Sequence, residues 1–126
     1  MADLARGWHQ QRRHVRVLVH RASFVGGGFE QFFVKVTNLS RSREVEITHL
    51  WFATQPPVHV LNDERALPAR LRLDETFETW IPVTTVPECP KIERLGRVAL
   101  SNGAVVKSRL NKNVPPIGNV AGPGVR

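Results

Sequence analysis

Cysteine occurs once in the 126-residue chain, at Cys89. One thiol excludes an intrachain disulfide framework and a thiolate-rich zinc site. Long apolar runs are also missing: nothing approaches the roughly 20 residues that a membrane-spanning helix requires. Met1 to Arg13 lacks the apolar stretch of a secretory leader. From these absences the expectation is a soluble, cytoplasmic protein with no membrane partner. Acidic side chains stop at Glu93. Residues 94–126 hold Arg94, Arg97, Lys107, Arg109, Lys112 and Arg126 and no carboxylate.

What is present is the composition of one globular domain. The chain is 41% hydrophobic and 23% charged, which argues against a mainly disordered polymer. The net charge of +7 is unevenly placed: +3 over residues 1–30, −2 over 31–93 and +6 over 94–126. The basic excess therefore sits at the two ends, a pattern that bears on partners and association rates and not on fold.

The hydrophobic pattern has the period of half-buried strands. Val15, Val17 and Val19 alternate with polar or longer side chains, as do Phe32, Val34 and Val36. Gly26-Gly27-Gly28 separates these two runs, and Asn38-Leu39-Ser40-Arg41-Ser42 reads as a turn. Val45 and Ile47 begin a third strand, but Leu50 and Phe52 fall on the opposite parity. Either a bulge resets the register there or the strand is buried on both faces near its end. Val58-His59-Val60 reads as a short edge strand. Thr76 to Val83 is β-rich, with Phe77, Thr79, Ile81 and Val83 on one side, and Pro82 requires a sheet edge or strand end. Pro87 to Leu95 reads as a loop with at most one helical turn. Arg97 to Leu100, Ser101-Asn102-Gly103 and Ala104 to Ser108 form a hairpin signature, for which Asn-Gly suggests a tight primed turn.

Six or seven short strands and no long helical stretch predict an all-β, antiparallel β-sandwich of immunoglobulin-like architecture. Three segments are expected: a tail or short helix over 1–13, the sandwich over 14–110, and a basic tail rich in proline and glycine over 111–126. In the tail, Val114 and Ile117 are the anchors for docking of 111–117 along the sandwich. Trp51 is expected at the inter-sheet position that a tryptophan holds in immunoglobulin domains, without the disulfide that accompanies it there.

The strings VRVLVHRA (15–22), FVKVTNLS (33–40), EVEITHLWF (44–52), LDETFETWIPV (73–83) and NKNVPPIG (111–118) resemble a family of small bacterial proteins of unknown function. The resemblance spans most of the chain. It implies an immunoglobulin-like β-sandwich and carries over no activity, cofactor or catalytic residue.

Residues able to carry chemistry are few. Histidines 9, 14, 20, 49 and 59 show no metal-ligand spacing, and only His49 and His59 are placed to approach each other across strands. Cys89 stands between Glu88 and Pro90, with no adjacent cation to activate a thiolate. The carboxylates of Asp63-Glu64 and of Asp74, Glu75 and Glu78 read as solvated turn and edge charges. The glycine triplet lacks the Lys-Ser/Thr of a phosphate loop. The expectation is a protein that is not an enzyme and holds no metal or cofactor. The basic side chains are more suggestive. If the first and last strands lie side by side, Arg12, Arg13 and Arg16 meet Lys107, Arg109 and Lys112 in one strip, with Trp8 nearby. Two functions follow as expectations: foremost a module that binds another protein, and alternatively a nucleic-acid accessory protein using that basic strip.

Overall fold

The architecture follows from the alternation of β-branched and aromatic residues with polar ones. The structure, a computed structural model, describes residues 14–24 and 26–109. The expectations for 1–13 and 111–126, and with them Trp8, Arg12, Arg13 and Lys112, lie outside the described residues. Among the described residues eight strands form: β1 (Val15–Ala22), β2 (Gln31–Asn38), β3 (Val45–Phe52), β4 (Val58–His59), β5 (Ala69–Leu71), β6 (Thr76–Pro82), β7 (Gly96–Leu100) and β8 (Val105–Lys107). Between β1 and β8 the helical elements are two single 3-10 turns, Val83–Thr85 and Ile92–Arg94. No helix among the described residues is long and apolar enough to cross a membrane.

The strands make two antiparallel sheets, β1-β2-β6 and β4-β3-β7-β8, packed into a sandwich. β5 pairs with the start of β3 and β4 with its end, so the two share the β3 edge opposite β7. The inward parity supplies the core. Val15, Val17, Val19, Phe32, Val34, Val36 and Ile81 come from the first sheet, and Ile47, Leu50, Phe52, Val98 and Val106 from the second. Each such side chain contributes about 1.5–3 kcal/mol by leaving water. Phe32 and Phe52 meet across the layers with ring centroids 5.6 Å apart. Pro82 ends β6, which is an edge strand, as proline's missing donor requires.

The parity slip in β3 is a β-bulge. Ile47 pairs with Leu100, but His49, not Thr48, pairs with Ala99, so Thr48 is the extra residue. Its hydroxyl donates to the Ala99 carbonyl at 3.2 Å. Before the bulge Val45 and Ile47 face the core; after it Leu50 and Phe52 do. Trp51 is thereby turned outward, and the expectation that it fills the inter-sheet position is corrected: Phe52, fully buried, takes that place. The β7–β8 hairpin forms as the Asn-Gly signal suggests, but by a longer turn. Leu100 N–H donates to Ala104 O across a three-residue loop, Ser101 to Gly103. Gly103 has φ +92, while Asn102 is not left-handed. That is the bulged three-residue connection, not the two-residue primed turn.

Polar groups fix the ends of the sandwich. Asn38 is fully buried at the end of β2. Its amide donates towards the carbonyls of Arg43 (2.9 Å), Leu71 (3.3 Å) and Arg72 (3.1 Å), and its Oδ1 accepts from Ser40 N–H at 3.0 Å. On the β1–β8 side, Ser108 Oγ accepts from Gly96 N–H and donates to Glu93 O. One residue on, Arg109 N–H donates to the Val17 carbonyl at 3.2 Å. The end of the last strand thus reaches the first strand and closes that side of the sandwich.

Candidate functional site

Two clusters of side chains stand on the solvent faces of the two sheets. On the three-stranded sheet the outward positions of β1, β2 and β6 align in rows. One row runs His20–Phe33–Trp80, the next Leu18–Lys35–Glu78. Phe33 faces away from the core, yet it is buried, because aromatic neighbours cover it. The His20 ring stacks on it at 5.3 Å, Phe24 meets it edge-on at 5.3 Å, and Trp80 lies 6.0 Å away. Phe24 also packs edge-on against Trp80 at 5.2 Å. The Arg65 guanidinium sits over the Trp80 ring, 5.2 Å from its centroid. Asn62 Nδ2 donates to the Trp80 carbonyl at 3.4 Å, which ties the loop after β4 to this cluster.

The loops flanking the cluster carry exposed apolar side chains. Phe24 is 45% exposed, while Phe29 on the same β1–β2 loop and Leu61 next to Asn62 are each 83% exposed. Large apolar side chains displayed together are the usual mark of an interaction surface. His20 is held below its ordinary value, chiefly by burial and secondarily by Lys35, with Glu78 opposing.

On the other sheet the bulge at Thr48 decides the geometry. It places Trp51 in a row across all four strands, His59–Trp51–Arg97–Lys107. Trp51 and His59 rings are 6.1 Å apart. The Arg97 guanidinium donates to the carbonyls of Arg94 and Gly96, both at 2.8 Å, and is held flat against its own strand. Partial burial lowers the Arg97 pKa from its usual value. Lys107 and Arg109 are exposed on the same parity of the chain, separated by buried Ser108.

Of the basic strip expected from sequence, Arg16, Lys107 and Arg109 are among the described residues and all are exposed. The Arg109–Val17 hydrogen bond sets Arg109 beside the β1 backbone next to Arg16. Arg16 takes the outward parity of β1, whereas Lys107 stands directly opposite Arg97 on the other sheet. The aromatic cluster and Arg97 were not singled out by the sequence reading. A signal existed: Phe32-Phe33 and Trp80-Ile81 are adjacent apolar pairs, so each strand carries a large ring on its polar parity.

Cys89 lines an open cleft of about 510 Å³ with Arg21, Phe32, Lys91 and Glu93. Its thiol donates to the Pro90 carbonyl at 3.5 Å, and no histidine is among the described residues lining the cleft. Among the described residues no group of three or more His, Cys, Asp and Glu is placed to hold a metal ion. No family model, no curated protein and no solved structure matches the chain.

Proposed function

We propose that the chain is a non-enzymatic β-sandwich module that binds another protein through the outer face of the three-stranded sheet. The observation that carries this reading is the solvent-facing cluster of Phe24, Phe33 and Trp80 under Arg65, whose flanking loops also expose Phe29 and Leu61. Trp and Arg are the residue types that dominate binding energy at protein interfaces, and buried rings such as Phe33 pre-order them. The occupant is a partner protein presenting apolar side chains to Phe24 and Trp80. Docking on this face is favoured over addition of a strand. The β1 edge already accepts Arg109 at Val17, and Asn62 engages the β6 edge at Trp80.

The strand order supports an immunoglobulin-like reading of the sandwich. One sheet of first, second and sixth strands faces another of fourth, third, seventh and eighth, with the short fifth strand also beside the third, an arrangement akin to A-B-E against C′-C-F-G. In that reading Trp51 is the C-strand tryptophan turned outward by the bulge.

Photo-crosslinking tests the proposal. A benzophenone amino acid is placed at position 24, 29 or 73 in the full chain expressed in its source cell. A discrete protein adduct at 24 and 29, absent at exposed Leu73 and lost on Trp80→Ala, is expected. Equal labelling at all three positions, or none, overturns it.

A further inference from the structure

We infer that the outer face of the four-stranded path β4-β3-β7-β8 is a platform for single-stranded nucleic acid, with Trp51 as the base-stacking residue and Arg97 and Lys107 as the phosphate contacts. This surface is on the opposite side of the sandwich from the protein-docking face and stands independently of it.

The platform is built by register. A stacking site needs a ring held at the surface of a rigid element, flanked by cations at the spacing of a backbone. Trp51 is half-buried at the centre of the sheet, fixed by ladder pairing on both sides: His59 on one strand, Arg97 on the other. Lys107 follows on the next strand, directly opposite Arg97. The two cations stand on adjacent strands, so one phosphate can be met by both. Arg97 is also fixed in place by its two backbone carbonyl partners, so little side-chain freedom is lost when it meets an anion.

The face carries no opposing charge where it matters. From the bulge to the end of β3 the outward residues are His49 and Trp51, and the positions paired with them on β4 and β7 are His59, Ala99 and Arg97. β8 adds Val105 and Lys107. None is acidic. The nearest outward carboxylate of β3, Glu46, lies before the bulge, paired with Arg70 of β5. Three adjacent strand intervals of about 4.8 Å give the row a width of about 14 Å. A sheet face of four strands presents about two or three bases in single-stranded recognition. A duplex, with its bases stacked inward, leaves Trp51 nothing to stack upon; single strands are therefore the preferred form.

Fluorescence anisotropy of the full chain with a labelled oligo-dT strand of about 15 nucleotides, the same length of oligo-U and a mixed-sequence duplex tests the inference. The expected result is single strands bound in preference to duplex, with a log–log salt slope of about −1.4 for two phosphate contacts. Trp51→Ala is expected to weaken binding about 5- to 150-fold, and Trp51→Phe to recover much of that loss. Lys107→Glu is expected to flatten the salt slope, and Trp80→Ala to change nothing, since it belongs to the protein-docking face. Circular dichroism of each variant establishes that it is folded. No binding at low salt overturns the inference. So does duplex preference, or salt-sensitive binding that Trp51→Ala leaves intact, which assigns the attraction to bare charge. Absence of any crosslink at position 24 in the native chain, with oligonucleotide binding retained, would instead remove only the protein-docking proposal.

Discussion

His20 lies flat on Phe33, the ring planes 12° apart and the centroids separated by 5.3 Å. The pair sits on the solvent side of a sheet whose other side is the core. A titratable ring is thus used as a lid over an apolar one, and the stability of the face becomes coupled to pH.

Burial, reinforced by Lys35 and opposed by Glu78, lowers the His20 pKa in the folded chain. The unfolded chain keeps a value near 6.5 and therefore takes up the proton first as the pH falls. The His20 contribution is at its most favourable above about 6.5 and is lost as the pH falls from there through the lower, folded value. His20→Phe keeps the stacked ring and removes the proton. Urea midpoints measured from neutral to mildly acid pH are expected to fall more steeply for the native chain than for this variant. Parallel curves would show that His20 is not the group responsible.

Asn38→Ala removes a buried amide that serves three carbonyls and one N–H. The buried bond to the Leu71 carbonyl and the part-buried one to Arg72 are then lost, at a cost of about 1–3 kcal/mol. Equilibrium urea unfolding measures this; a loss within about 0.5 kcal/mol, the range of ordinary surface changes, contradicts it.

A Cβ at position 96 would stand 2.9 Å from Val19 Cγ2 and 3.1 Å from Ser108 Cβ and Oγ. Gly96→Ala is therefore expected to destabilise by about 1–3 kcal/mol through overpacking. Trimming the obstruction should recover part of it: the double variant with Val19→Ala is expected to cost less than the sum of the two single changes. Strict additivity in thermal unfolding would place the strain elsewhere.

Trp51 and Phe52 make a contrasting pair. Phe52→Ala opens a cavity beside Phe32 and is expected to cost about 3–5 kcal/mol. Trp51→Ala, on the outer face, is expected to cost less than half as much. Chemical denaturation of the two variants side by side decides the facing of β3; the reverse order would put Trp51 in the core.

The sandwich was legible because the core-facing apolar residues of β1, β2 and β6 keep one parity, although Phe33 and Trp80 set large rings on the other. Its pairing was less so. β5 is three residues long and bonds to β3, a partnership that local pattern does not encode. The bulge was half-legible: opposite parity of Ile47 and Leu50 announces a reset, but alternation alone does not say whether Trp51 or Phe52 ends up inside. The aromatic cluster required the Phe33–Trp80 register, a long-range pairing fixed by the whole sheet. The approach of Arg109 to Val17 depends on how the two sheets close and is a property of the assembled layers.

The extra residue at Thr48 divides β3 into two halves of opposite phase. A chain lacking Thr48 would run in a single phase with Val45, Ile47, Leu50 and Phe52 all inward and Trp51 still outward. Unbulged pairing at the present length would instead send Trp51 inward and Leu50 and Phe52 into solvent if the first half held its place. The bulge thus absorbs one residue that the alternation has no place for, and a flat strand of this length would have to exchange the polar and apolar members of one half-strand together.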